Sequence, residues 1–198
     1  MLEILTVDSG SIADEIGVQA GERLIAVNGE PVNDLVDYLV EESKETLQVE
    51  IERADGDVWS LDIEHESDEP VGFGLPHPEP NQCGNNCIFC FVHQLPRGMR
   101  RSLYVKDEDY RFSYLYGAYV TTTNLPESGL QSILKKKLSP LYVSVHAAEN
   151  GLRQELLGQS AQEVMPLLRR LVEGGIEIHT QVVVCPGIND GEHLAHTC

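Results

Sequence analysis

The sequence predicts an α/β protein in two parts. A small β-rich module comes first, followed by alternating strands and helices that build an incomplete parallel (β/α) sheet. Three observations carry this reading. Charge is uneven: residues 1–70 hold 20 Asp and Glu against 3 Lys and Arg, whereas 71–198 hold 12 against 11. Composition changes near "EHESDEPVGFGLPHPEP" (64–80), where acidic residues give way to Gly and Pro. That change puts a boundary at about residue 70 and divides the chain into domains 1–70 and 71–198. Hydrophobic spacing then shifts from strand-like alternation to segments that switch between strand and helix periods.

In the first part, "ERLIAVNGEPV" reads as two short strands around a tight turn at Asn28-Gly29, residues that tolerate the positive φ of such turns. "DLVDYLVEE" follows as a short helix, and "TLQVEIERADGDVWSLDIE" as a hairpin turning at Asp55–Asp57. In the second part, "YGAYVTTT" (116–123), "LYVSVHA" (141–147) and "IEIHTQVVV" (176–184) read as strands. Residues 127–138 are helical, with Leu130, Ile133, Leu134 and Leu138 on one face. A later helix carries Val164, Leu167, Leu168, Leu171 and Val172 in one stripe and closes at Gly174-Gly175. Ser160 and Glu163 suggest a capping box for it, but Pro166 would then fall inside; the helix either starts later or kinks. Strand–helix–strand succession implies right-handed crossovers and a parallel sheet.

The net charge of −18, concentrated in the first part, repels phosphate backbones and argues against nucleic acid as a partner. No apolar run spans a bilayer, and the start, "MLEILTVDSGSIADE", lacks a basic region and an apolar core, so neither membrane nor secretory signal is expected. Five cysteines is an odd number, and three of them lie too close together for ordinary disulfides. This usage predicts a reducing, cytoplasmic location.

Those three are Cys83, Cys87 and Cys90, in "CGNNCIFC". Clustered thiolates select soft metals, and two readings of the spacing stand. One is a zinc knuckle completed by His93; the other is an iron–sulfur cluster with one position left open. Two readings also stand for the basic, aromatic stretch "LPRGMRRSLYVKDEDYRFSYLYG" (95–117). It either grips an anionic substrate or covers the cluster with its charges paired to Asp107–Asp109.

The cysteine stretch, with Phe89 just before the last cysteine, resembles the signature of the radical S-adenosylmethionine (SAM) enzymes. Together with "SPLYVSVHA" and "HTQVVVCPGINDGE" it is similar to the uncharacterised radical-SAM-like iron–sulfur proteins called domain of unknown function five-hundred-twelve. In that family a PDZ-like module precedes the core, and "SIADEIGVQAGERLIAVNGEPVND" resembles the helix and strand pair of PDZ domains. The resemblance implies a partial (β/α) barrel with "VGFGLP" (71–76) as its first strand. It also implies a 4Fe–4S cluster on Cys83, Cys87 and Cys90, with SAM chelated at the open iron and cleaved reductively to a 5′-deoxyadenosyl radical. Partners would be an unknown substrate and a reductant such as flavodoxin or ferredoxin. Because the chain begins so close to the PDZ-like helix, the module is expected to dock a protein partner rather than capture a peptide end.

Active sites of such barrels gather at the C-terminal strand ends. By resemblance, Thr121, Thr123 and Asn124 approach the SAM amino group, Ser144 its ribose or carboxylate, and the "VCPGIND" turn its adenine. The Gly-Gly-Glu-Pro stretch common in the family is replaced here by "TTTNL". His146 is either a contact at the barrel mouth or a satisfied core histidine, and Cys185 either a cavity thiol or a packing residue. Such cores have six β/α units, and four strands at most are visible here, so the core is expected to be cut short. Two other functions fit the same cysteines: an electron carrier or redox sensor that never cleaves SAM, and a zinc-stabilised PDZ-like adaptor.

Overall fold

The structure is a computed structural model that describes residues 1–66, 69–158 and 161–198. Its contacts divide it into two compact units, Met1–Glu79 and Pro80–Cys198.

In the N-terminal unit an antiparallel sheet runs β1 (Leu2–Glu3), β3 (Arg23–Val27), β5 (Thr46–Glu52), β6 (Val58–Glu64), with β4 (Glu30–Pro31) on the edge of β3. Asn28 and Gly29, at φ 52° and 76°, make the expected turn between β3 and β4. Helix α1 (Ile12–Glu15) is capped by Ser11, and helix α2 (Leu35–Glu42) by Asp34, whose carboxylate accepts from the Val36 and Asp37 amides. A cap of this kind contributes about 1 kcal/mol. Leu24, Val27, Leu47, Val49 and Ile51 alternate inward from the sheet and form the core with Tyr38 of α2.

One expectation is overturned here. Residues 71–76 do not open the parallel sheet. Instead β7 (Phe73–Gly74) pairs antiparallel with β2 (Thr6–Val7), and Val71, Phe73 and Leu75 are buried in the N-terminal core. The alternation of apolar residues with Gly72 and Gly74 explains it: one face packs inward, and the glycines let the backbone lie against Ser11 and Thr6.

The C-terminal unit begins with the cysteine loop, then α3 (Phe91–Gln94), a 3-10 turn at Arg101–Tyr104 and α4 (Tyr110–Tyr116). After α5 (Glu127–Lys136), strand β8 (Leu141–Ser144) leads to α6 (Asn150–Leu157) and α7 (Met165–Glu173). Strand β9 (Ile178–Gln181) and α8 (Gly191–Thr197) complete it. Strands β8 and β9 are parallel, and Val120 joins β8 through a single parallel bridge to Val143. The predicted strand at 116–123 is thus largely absent: α4 runs to Tyr116, Gly117 ends it, and Thr122 at φ 61° breaks the extended run. Among the described residues the parallel strands do not close into a barrel. Pro166 falls in the first turn of α7, so that helix starts late rather than kinking. Ser160 of the expected capping box lies outside the described residues. No described helix is long and apolar enough to cross a membrane.

Candidate cofactor site

All five cysteines are free thiols. Cys83, Cys87 and Cys90 line one cavity of about 570 Å³ in the C-terminal unit, together with Phe89, Thr121, Ser144 and His146. Backbone hydrogen bonds hold the cysteine loop in place. The Cys83 amide donates to Lys106 O at 2.7 Å, and the Asn86 and Ile88 amides donate to Leu157 O and Leu156 O, each at 3.0 Å. The last two satisfy carbonyls that the end of α6 leaves free.

The thiols press on one another electrostatically. Burial, then the charges of Cys83 and Cys90, push the Cys87 thiol up to about 11, and burial also raises Cys83. A metal centre in the cavity removes that cost, because coordination stabilises thiolates. The donor set therefore fits a soft-metal group. Among the described residues no three or more His, Cys, Asp and Glu, these cysteines included, are drawn together tightly enough to hold a metal ion. His93 sits in α3 with Nε2 3.3 Å from Lys106 Nζ, not among the thiols. The three cysteines line one common cavity.

A buried polar network forms another wall. Asn85, between the first two cysteines, donates through Nδ2 to Thr121 Oγ1 at 2.8 Å and accepts at Oδ1 from Thr123 Oγ1 at 3.0 Å. Thr121 in turn donates to Glu108 Oε1 at 2.8 Å, and Lys106 Nζ donates to Asn85 O at 2.7 Å. Burial pushes the Glu108 carboxyl above its ordinary range, while the hydrogen bonds from the threonines oppose it.

His146 ends β8's run with φ 64°. Its ring packs on Phe89, with centroids 4.7 Å apart, and Nδ1 accepts from the Val183 amide at 3.2 Å. Burial first, and the Arg153 charge second, lower its pKa to about 4. The imidazole is neutral at pH 7, and with Nδ1 accepting, Nε2 carries the proton. His146 is therefore both a packed histidine and a cavity-lining hydrogen-bond donor. Beside it, Ser144 Oγ accepts from Gln181 Nε2 at 3.2 Å.

The structure gathers Phe89, Thr121, Ser144 and His146 around the cysteines, but two expected contacts lie elsewhere. The Thr123 hydroxyl is committed to Asn85, and Asn124 lines a separate cavity with Asn81 and Tyr110. Cys185 packs against Leu156 and Leu157, while Asn189 fixes the "VCPGIND" turn by donating to His146 O and Val183 O. In the basic stretch, Arg111 pairs with Asp109 at 2.7 Å as expected, whereas Arg97, Arg100 and Arg101 stand exposed. Sequence reasoning missed Gln181 and Arg153, and placed Lys106 and the carboxylates of 107–109 only in the basic, aromatic stretch beside the cysteines.

Fold and site together define an α/β protein whose C-terminal unit gathers three thiols and the polar ends of parallel strands around one cavity, and whose N-terminal unit is β-rich. Residues 65–198 match the model of the radical SAM-like domain, and residues 3–53 that of the PDZ domain. The chain belongs to the radical SAM-like domain family, with a PDZ domain at its N-terminus. No curated protein matches it.

Proposed function

We propose that this chain carries the cofactor-binding part of a radical SAM enzyme, with Cys83, Cys87 and Cys90 as ligands of a 4Fe–4S cluster and SAM beside it. The observation that carries this reading is that the three cysteines share one cavity with Thr121, Ser144 and His146. When bound, the cluster supplies the electron for reductive cleavage of SAM. The protein's own residues do the rest. The loop bonds to Leu156, Leu157 and Lys106 hold the cysteines in register. Phe89 and His146 pack with tilted rings to close one side against water, and His146 offers a neutral N–H donor. Ser144 and Gln181 present a hydroxyl and an amide at the strand ends for polar groups of SAM. The short parallel sheet is read as the first part of a (β/α) barrel, and the whole as a member of the PDZ-linked group of the family. A flavodoxin or ferredoxin donates the electron, and the PDZ domain docks a protein partner.

The test is metal content. Protein purified without oxygen carries about four irons and four sulfides per chain. Cys87→Ala abolishes them, and SAM changes the electron paramagnetic resonance spectrum of the reduced cluster. Stoichiometric zinc without iron overturns the reading. A cluster whose spectrum ignores SAM makes the chain an electron carrier instead.

A further inference from the structure

Arg153 is 1% exposed, the one cation in the buried polar set of the described residues. It projects from α6, and among the described residues it makes no ion pair. Instead its guanidinium donates to three backbone carbonyls: Nε to Val145 at 3.2 Å, one terminal nitrogen to Gln162 at 2.7 Å and the other to Thr121 at 2.6 Å. Val145 immediately precedes His146, and Thr121 is the cavity residue that bonds Asn85 and Glu108. The same helix ends on the cysteine loop, where Leu156 O and Leu157 O accept from the Ile88 and Asn86 amides. Between them Gln154 Nε2 donates to Ala161 O at 3.1 Å.

We propose that Arg153 is a positioning residue that makes α6 a bracket, holding the cysteine loop and the strand ends at Thr121 and Val145 in fixed register. The chemistry of the residue supports it. A buried cation is costly unless its donors are satisfied, and a planar fork can reach three carbonyls that point in different directions. A lysine has the charge but only a point donor. The Thr121 carbonyl also accepts from the Thr122 hydroxyl and the Val145 carbonyl from the Ala147 amide, so Arg153 adds a second, charged donor that ties both strand ends to α6. Its charge also lies near Glu108 and Cys87, both of which stabilise the cation. Arg153 thus places a fixed positive charge beside the cavity wall. The consequence for cofactor binding rests on the function proposed above; the mechanical coupling does not.

Amide hydrogen exchange on the metal-free chain tests the coupling. In Arg153→Lys, exchange at Asn86, Ile88 and Ser144 accelerates roughly 10- to 100-fold, the effect of losing a charged hydrogen bond. Amides in α5 and α7 change far less. No change at the three amides overturns the proposal, and so does equal acceleration throughout residues 80–198, which marks a residue that only stabilises the fold. Should the variant fail to fold, the wild type decides. Its Asn86, Ile88 and Ser144 amides then open in one cooperative step with the same denaturant dependence, and widely separated opening steps overturn the bracket. In cluster-loaded protein, Arg153→Lys keeps its iron but binds SAM about tenfold more weakly. Retained iron with unchanged SAM affinity overturns that consequence, whereas a wild type that takes up no iron overturns the proposed function and leaves the exchange result standing.

Discussion

Lowering the pH loads the unfolded chain with a proton that the folded chain refuses at His146. The folded pKa is about 4 against an ordinary 6.5, held down by burial and then by Arg153. Because the folded value is depressed, the stability from the neutral imidazole is fully present above pH 6.5 and is lost as pH falls toward 4. At about 1.4 kcal/mol per pH unit, roughly 2 kcal/mol disappears by about pH 5 and roughly 3 kcal/mol by about pH 4. His146→Gln keeps a side chain able to accept from the Val183 amide but cannot titrate. Urea unfolding of metal-free protein followed by far-UV circular dichroism, read between pH 7.5 and pH 4.5, measures the difference. Wild type loses about 1 M more in midpoint than His146→Gln by about pH 5, for an m value near 2 kcal/mol/M. Other carboxylates titrate in the same range, but they are shared and cancel. Parallel profiles for the two proteins refute the claim that this imidazole is buried and neutral.

Leu156 is fully buried among Ala147, Ala161, Cys87 and Phe89. Leu156→Ala removes packing beneath the cysteine loop where the small neighbours fill little of the void, and costs about 3–4 kcal/mol by urea unfolding, with reduced iron loading. In the N-terminal unit, Gly72 has φ 97°, and a Cβ there would lie 2.2 Å from Ser11 Oγ. Gly72→Ala therefore lowers stability by about 2–3 kcal/mol, read through the fluorescence of Trp59, the only tryptophan and a residue of β6.

The elements with strong local signals were legible in the sequence. The Asn28-Gly29 turn, the hairpin to residue 64, helix α2 and the amphipathic stripes of α5 and α7 all rest on chemistry within a few residues. What was not legible depended on distant partners. "VGFGLP" alternates well enough for any half-buried strand, and only pairing with Thr6–Val7 decides which sheet takes it. "YGAYVTTT" is rich in strand formers, yet Tyr116 closes α4, whose buried Ser113 bonds to the Tyr142 backbone. Helix α6 was missed because its first residues, "NGLRQ", mix Gly and polar groups, and its key residue turns a charge inward. Of the site, the cysteines stood out by their spacing, whereas Thr121, Ser144 and His146 were named through the family resemblance and lie in the same cavity lining. Glu108 and Arg153 were not legible as site residues, since charged residues are ordinarily assigned to the surface.

The charge pattern of the cavity explains why those two buried residues occur together. Three thiols, the Glu108 carboxyl and the terminal carbonyls of α6 all bring negative charge or its partial equivalent to one place. Two cations oppose them, and neither is free to neutralise a thiolate directly. Lys106 is bonded to Asn85 O, and Arg153 is fixed by three carbonyls. A protonated His146 would add a third cation, but it would face Arg153 in a buried setting, so the ring stays neutral. Burial first, then the charge of Glu108 at Cys83 and of the neighbouring cysteines at Cys87, raises both thiols, and Lys106 only partly opposes this. The hydrogen bonds from α6 and Lys106 hold the cysteine loop in place beside this cavity, so its charge pattern is built into the fold rather than left to a mobile loop.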